Sequence, residues 1–205
     1  MSADQHENLE ERLLHRLLFF TDAVFAIVLT LLVLELRPPG EGSEGGLGPR
    51  LFAFALSFAI IGVFWLAHMA TTRRLARFDW PTSVANLVFL FPICLIPFVS
   101  AWVGRTGLGS VGWIAYSLVL IATSVANMLL VLVQSREGGR LLAGGITARE
   151  RAYRLGRSAS PGLAFLVGLI GASAGYPLGA AFCWALIPVF MLLVRLAFGS
   201  KPGAA

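Results

Sequence analysis

The sequence has few charged residues and few of the residues that enzymes use. Only 13% of its 205 residues are Asp, Glu, Lys or Arg, against about 25% in soluble domains, whereas 57% are hydrophobic. Its two cysteines, Cys94 and Cys183, both lie in apolar runs, so neither a disulfide framework nor a CxxC metal motif is available. The composition predicts an integral membrane protein.

The apolar part of the chain also lacks a group of catalytic residues. It holds one His, one early Asp, and no Ser/His/Asp or His/Cys/Glu set that would activate a nucleophile or hold a metal. We therefore predict that the protein is not an enzyme and needs neither a cofactor nor a fixed metal. Its net charge is +5, but the basic residues border apolar runs instead of alternating with stacking aromatics, which argues against nucleic-acid binding.

Uncharged stretches long enough to cross a bilayer recur along the chain. A crossing needs about 20 apolar residues at a rise of about 1.5 Å each. The last uncharged run, from Ser158 to Val194, is too long for one crossing and is divided at Gly175-Tyr176-Pro177, where a turn is expected. We predict an all-α membrane protein, a single unit over 1–205 with six transmembrane helices at 17–36, 51–72, 80–103, 111–134, 158–175 and 178–197.

The basic residues are distributed unevenly between the two ends of these helices. With six helices and a cytoplasmic N-terminus, thirteen of the sixteen Lys and Arg residues lie inside, and only Arg37, Arg50 and Arg105 lie outside. The positive-inside rule then places both termini in the cytoplasm. In the inner loop from Arg136 to Arg157, the segment around Thr147 to Leu155 has the pattern of an amphipathic helix lying on anionic lipid.

Three polar side chains fall at one depth in the predicted membrane region. Asp22, His68 and Asn86 each lie five to seven residues from a charged helix end, which is about 8 to 11 Å inside the same membrane face. Two interpretations stay open: a hydrogen-bonded network that fixes helices one to three, or a proton relay through Asp22 and His68. We favour the network, because one acid and one His make only a short relay.

Helical phase divides the first helix into two sides. At about 100° per residue, Ile27, Leu31 and Leu34 share a stripe with Thr30 on its edge, and Asp22 points about 140° away from Ile27. We therefore expect Asp22 to face the other helices. Periodicity alone indicates only that the stripe packs against lipid or another helix.

The start of the first helix carries a recognisable motif. Arg16-x-x-x-Phe20-Thr21-Asp22 resembles the Arg-x-x-x-Phe-Ser-Asp signature of the lysosomal-type potassium channel family, the transmembrane protein 175 family, in its bacterial single-repeat branch. Thr21 replaces the Ser of the signature and keeps its hydroxyl. The context also agrees: Phe25-Ala26-Ile27, Thr30-Leu31-Leu32-Val33-Leu34-Glu35, Trp65-x-x-His68, Asn86 and Pro97-Phe98.

The resemblance implies a potassium-selective cation leak channel, multi-pass in the bacterial inner membrane, that conducts K⁺ passively. It implies a homotetramer in the lipid bilayer whose pore is formed around helix one, since one copy of the motif cannot enclose a pore. The family uses no carbonyl-loop filter. This sequence agrees, because it has neither a Thr-Val-Gly-Tyr-Gly run nor a regularly spaced Arg row for a voltage sensor.

The resemblance also implies roles for individual residues. Ile27 would form the hydrophobic constriction, with Leu31 and Leu34 continuing the pore lining, and K⁺ would bind transiently near Thr30, the selectivity residue. The helix-anchoring polar network would consist of Arg16, Phe20, Thr21, Asp22, His68 and Asn86. Glu35 would lie at the outer mouth, where Glu41 and Glu44 in the following loop would also attract cations or form a solvated loop.

Two alternatives to a purely potassium-selective leak stay open. Proton permeation would use the polar residues on helices one to three. A small secondary transporter of the inner membrane is the other alternative, because Pro92 and Pro97 have weak counterparts in Pro177 and Pro188, and transporters of this kind have paired broken helices.

Overall fold

The protein is helical throughout the residues described by this computed structural model, which are 3–36, 46–107, 111–174, 176 and 182–199. These ranges contain six α-helices and no strand apart from one isolated bridge between Leu75 and Leu142. The helices are α1 Ala3–Leu31, α2 Leu47–Thr72, α3 Trp80–Thr106, α4 Val111–Gln134, α5 Ala148–Ser173 and α6 Leu186–Phe198. The prediction of an all-α protein with six helices is confirmed.

Four helical segments are long and apolar enough to cross a membrane. They are Leu9–Glu35, Leu47–Thr72, Trp80–Thr106 and Val111–Gln134. The first combines most of α1 with a short 3₁₀ helix, Leu32–Glu35, that continues it. A shorter apolar segment, Cys183–Phe198, contains α6.

The fifth helix starts earlier than the uncharged run that predicted it. Ala148 opens α5, ten residues before 158, so the segment predicted to lie on lipid is the first part of α5. Thr147 caps this end, because its side-chain oxygen accepts a hydrogen bond from the Glu150 amide at 3.2 Å. Of the turn predicted at 175–177, positions 175 and 177 lie outside the described residues, as do 177–181 before α6.

Aromatic side chains form the contact between the first three helices. Phe25 of α1 lies 6.0 Å, centroid to centroid, from Phe89 of α3, and Phe64 of α2 packs on the same ring at 6.4 Å. The His68 imidazole stacks parallel to Phe89 at 5.5 Å. All four side chains are buried, so α1 is held by one face against α2 and α3.

A buried hydroxyl cluster joins α2, α3 and α4 at another level. The Ser57 hydroxyl donates to Ser100 Oγ at 2.8 Å and lies 3.0 Å from the Tyr116 hydroxyl, while Ser100 donates to the Ala53 carbonyl at 3.2 Å. Each of these polar atoms would be costly to bury alone. Together they fix the relative register of three spanning helices.

Close backbone approach brings α5 against α4. A Cβ placed on Gly162 would lie 2.7 Å from the Ser124 Cβ, so only glycine fits at this crossing. α4 packs on α3 and α5 packs on α4, whereas α1 contacts α2 and α3. This arrangement leaves α1 at the edge of the chain.

Candidate functional site: the exposed face of the first helix

The first helix buries one face and exposes the other. Phe25, Val28 and Leu32 are at most 3% exposed and follow the helical repeat of three and four residues. Ile27 lies about 200° around the helix from Phe25 and is 56% exposed. The two faces therefore lie opposite each other, one against α2 and α3 and one without a partner in a single chain.

The residues predicted to line a pore lie together on this exposed face. Leu31 and Leu34 are 42% and 69% exposed, and Thr30 is exposed beside them. Leu34 belongs to the 3₁₀ turn after α1. The result is an apolar stripe, Ile27, Leu31 and Leu34, with one hydroxyl on its edge.

The Thr30 hydroxyl is oriented by its own helix. It donates to the Ile27 carbonyl at 2.8 Å, so its proton is directed to the backbone. The lone pairs of the oxygen remain available to accept from water or to contact a cation. The arrangement suits weak coordination of a partly hydrated ion.

A buried hydrogen-bonded cluster connects α1 to α2 and α3, and we call it the polar joint: Thr21, His68 and Asn86. The Asn86 amide donates to Thr21 Oγ1 at 2.7 Å, and its carbonyl oxygen lies 2.9 Å from His68 Nε2. The Thr21 hydroxyl donates in turn to the Leu17 carbonyl at 2.9 Å. Thr21, His68 and Asn86 are all buried, so this joint supplies satisfied polar contacts across three helices.

Asp22 lies beside this joint and takes a different partner from the one expected. Its carboxylate accepts a hydrogen bond from the Trp65 indole N–H at 2.9 Å, and the residue is exposed in a single chain. It reaches α2, as the helical phase indicated, but it is neither buried nor bonded to Asn86. Trp65 was missed as its partner, although it precedes His68 by three residues and so lies on nearly the same side of α2.

The remaining members of the predicted network point away from the joint. Arg16 and Phe20 are exposed, and Arg16 has no hydrogen bond or ion pair with the part of the chain that the structure describes. They share the side of α1 that the other helices leave uncovered. Of the six predicted residues, the structure joins Thr21, His68 and Asn86, with Asp22 attached through Trp65.

Glu35 lies at the end of the stripe beyond Leu34, among basic side chains. It is half-buried and lines a small cavity of about 30 Å³ together with Arg50 and Arg105. Its acidic charge is therefore placed close to two basic side chains. Glu41 and Glu44 lie outside the described residues.

In the described part of the chain, the stripe has no metal site beside it and α3 is not broken at its prolines, while Pro177 lies outside the described residues. Within the described ranges, no group of three or more His, Cys, Asp or Glu side chains could hold a metal ion. α3 is continuous through Pro92 and Pro97, in contrast to the broken helices expected of the transporter alternative.

Several known proteins are similar to this chain in sequence and in fold. The family model described as endosomal/lysosomal potassium channel TMEM175 matches residues 16–97, which include the second half of α1, all of α2 and most of α3. A potassium channel of Streptomyces collinus is 31% identical over 165 residues, covering 72% of this chain and 80% of that protein. The chain belongs to the TMEM175 family.

Further TMEM175 relatives agree in sequence and in fold. A potassium channel of a Chryseobacterium species is 31% identical over 118 residues, or 56% of this chain, and the match spans 62% of that protein. The crystal structure of a TMEM175 homolog from Chamaesiphon minutus, described as a lysosomal potassium-selective channel, has a TM-score of 0.67 at 23% identity, covering 89% of this chain and 98% of that one. The TMEM175 fold is thus established for this chain.

Membership of the TMEM175 family confirms two broader predictions. The matched proteins are named ion channels, so the prediction that the chain is not an enzyme is confirmed. Its placement in a membrane is confirmed by the same relatives and by four helices of spanning length.

Proposed function

We propose that this TMEM175 protein is a subunit of a potassium-selective leak channel in the bacterial inner membrane, with α1 lining the pore. The observation that carries the proposal is the apolar stripe of Ile27, Leu31 and Leu34, exposed on the face of α1 opposite its buried contacts. The relatives described above are named potassium channels, which supports K⁺ as the permeant ion.

The stripe supports a pore only when several chains surround one axis. A single chain supplies one α1, which encloses nothing. We infer a homotetramer in which four copies of the exposed face point at the axis. Side chains that are 42% to 69% exposed in one chain would then face the shared axis, and van der Waals packing between the helices of neighbouring copies would hold the assembly together.

The constriction would act by excluding water. A ring of Ile27 side chains offers no hydrogen bond, so water leaves a narrow apolar passage and an ion must shed hydration to cross. A small widening rehydrates the passage and lets ions through. Conduction needs no bond-making step and no cofactor.

Selectivity would arise one turn further along α1. Thr30 oxygens, with their protons directed to the Ile27 carbonyls, would partly replace the water that K⁺ loses. K⁺ gives up hydration at lower cost than Na⁺, so a few hydroxyl ligands favour K⁺ modestly. The joint of Thr21, Asn86 and His68 would hold α1 at the rotation that aims this side chain at the axis.

The test combines recording with cysteine modification. Purified protein in planar bilayers should give unitary currents under a K⁺ gradient. In a Cys94→Ser background, Leu34→Cys should be blocked by a charged thiol reagent, because Leu34 would face the aqueous path. The control, Leu118→Cys, lies on α4 instead of α1 and is 52% exposed, so its current should not change.

Two outcomes would contradict the channel proposal. Saturable, substrate-coupled flux without unitary currents would favour the secondary transporter. Block of Leu118→Cys but not of Leu34→Cys would place the path elsewhere in the protein.

Proton permeation is the second activity that the joint supports, because His68 and Asp22 lie near one another beside α1. A hydrogen-bonded anchor predicts that His68→Ala alters assembly or K⁺ current together with any proton current. Selective loss of proton current from a folded oligomer with unchanged K⁺ conductance would instead identify a relay.

A further inference from the structure

A large basic cavity lies where α2, α5 and α6 meet, away from the stripe on α1. Its volume is about 630 Å³. Its lining is dominated by guanidinium groups, with a single acid among them, and we call it the arginine cavity: Arg73, Arg74, Arg149, Arg154, Arg157, Arg195 and Glu150. Six positive charges against one negative charge leave a strong excess in one concave space.

Part of this charge is used to hold the helices together. Arg74 Nη1 lies 2.6 Å from Glu150 Oε1, and Arg154 Nη2 lies 2.8 Å from the same oxygen. Arg74 also donates to the carbonyls of Ala143 and Gly145. These two arginines therefore share the one acid and have structural partners.

The other arginines of the cavity have no acidic partner among the described residues. Among the described residues, Arg149 donates to two backbone carbonyls near the end of α6, at 3.2 and 3.3 Å. Arg73, Arg157 and Arg195 have no hydrogen bond or ion pair with the residues that the structure describes. Like charges concentrated in a concave wall repel one another unless an anion lies between them.

The arginine cavity lies at the level where apolar helices end. α2 ends at Thr72 and α6 at Phe198, and residues beside both ends line the cavity. Ala67 and Ala70 extend the wall by about one turn into the spanning part of α2. An apolar wall below a basic rim is the environment of a lipid headgroup and the start of its acyl chains.

We propose that the arginine cavity binds a phosphate group, as carried by the headgroup of an anionic phospholipid. Arginine suits this ligand, because its planar fork donates two parallel hydrogen bonds to phosphate oxygens and its charge is permanent. A phosphodiester among Arg73, Arg157 and Arg195 would supply the missing negative charge and connect α2, α5 and α6. This binding is separate from ion conduction and does not depend on it.

The experiment measures lipid binding to the full-length oligomer by native mass spectrometry in a neutral detergent. Phosphatidylglycerol should bind in preference to phosphatidylcholine. Arg73→Gln/Arg195→Gln removes two exposed, unpartnered side chains from the cavity and should weaken phosphatidylglycerol binding at least about tenfold, through the loss of charge-assisted hydrogen bonds. Arg77→Gln/Arg151→Gln is the control, because both are exposed arginines outside the cavity lining, and its affinity should stay within about twofold.

A second arm identifies the source of the phosphate. Inorganic phosphate is titrated while the thermal unfolding midpoint is followed for the parent, the cavity double variant and the control double variant. If the cavity double variant does not fold, Arg195→Gln alone replaces it. Lipid binding that depends on the cavity arginines, with no effect of inorganic phosphate, supports a headgroup. A midpoint raised by inorganic phosphate in the same arginine-dependent way, without lipid preference, supports a phosphate site served from solution. Equal losses in cavity and control variants, or a loss in neither, would overturn the proposal.

Discussion

At the scale of single residues, the Thr21 hydroxyl is the group through which α1 enters the polar contact with α2 and α3. Thr21 Oγ1 accepts from the Asn86 amide and donates to the Leu17 carbonyl, and Thr21 is fully buried. The other end of Asn86 is held by His68. Removing the hydroxyl would leave a buried N–H without an acceptor, which costs more than the hydrogen bond itself gains.

Thr21→Val tests this joint, because valine keeps the shape of threonine and removes its oxygen. We expect a loss of stability of about 1 to 3 kcal/mol, the cost of an unsatisfied buried donor. The measurement is thermal unfolding of the purified protein in detergent, with the yield of oligomer as a second readout. Thr21→Ser restores the hydroxyl and should recover most of the midpoint; equal losses in the two variants would show that packing, not the hydrogen bond, matters there.

The sequence predicted which residues form the polar joint better than it predicted which of them are hydrogen-bonded to each other. Counting from charged helix ends predicted that Asn86 and His68 lie at one level, and the two side chains are within hydrogen-bond distance of each other. Asp22 was expected to share their buried contact, but Thr21, one residue earlier, has that position. A one-residue step turns a side chain by about 100°, so the exact partner depends on how the helices are rotated against each other, which a single sequence does not fix.

At the scale of whole elements, the start of α5 is held by charge. Glu150 pairs with Arg74 after α2 and with Arg154 one turn further along α5, and Arg154 also donates to the Thr71 carbonyl at 3.3 Å. Partial burial raises the pKa of Glu150, but the hydrogen bonds from Arg74 and Arg154 outweigh it, so the pKa lies below its usual 4.5. The carboxylate is the favoured form in the folded protein.

Because the pKa of Glu150 is lowered in the folded protein, its contribution to stability decreases at acidic pH. A carboxyl whose folded pKa lies below its unfolded value contributes stability above pH 4.5, and this contribution is lost as the pH falls through the folded pKa. Glu150→Gln should therefore unfold at a lower temperature than the parent at pH 7, and the gap should close toward pH 3. Melting curves from pH 7 to pH 3 make the comparison.

Glu137→Gln is the control for this prediction, because Glu137 pairs with Arg140 while both side chains are mostly exposed. It should change the midpoint little at any pH. A gap for Glu150→Gln that is as large at pH 3 as at pH 7 would contradict the ion-pair explanation.

The sequence predicted the bounds of a helix well where the length of an uncharged run sets them. It did not predict them where ion pairs to distant residues stabilise the helix. Long uncharged runs predicted α2 and α4 closely, because a spanning helix must satisfy its backbone internally. The first ten residues of α5, from Ala148 onward, are rich in charge and carry no spanning signal. Their helix is stabilised by Arg74, which lies more than seventy positions earlier in the chain, so the sequence predicted only an amphipathic piece there.

At the scale of the whole molecule, the α1 face is incomplete in one chain. Ile27, Leu31 and Leu34 form an apolar surface opposite the packed face of α1. The Thr30 hydroxyl on its edge donates to the Ile27 carbonyl, so its oxygen can still accept a hydrogen bond or contact a cation. The arginine cavity lies in another part of the bundle, between α2, α5 and α6. We therefore propose that ions cross on the axis of an oligomer and that phosphate binds between the helices of each subunit.

We propose that Ile27 and Thr30 line the ion path and that this path prefers K⁺. The most direct measurement is the reversal potential in planar bilayers with K⁺ on one side and Na⁺ on the other, for the parent protein, for Ile27→Ala, and for Leu118→Ala as an exposed apolar control on α4. We predict a reversal potential displaced toward K⁺ in the parent and in Leu118→Ala, and a higher conductance or a smaller displacement in Ile27→Ala. A reversal potential of zero in the parent would contradict the preference for K⁺, and an Ile27→Ala variant identical to the parent in both conductance and reversal potential would remove Ile27 from the ion path.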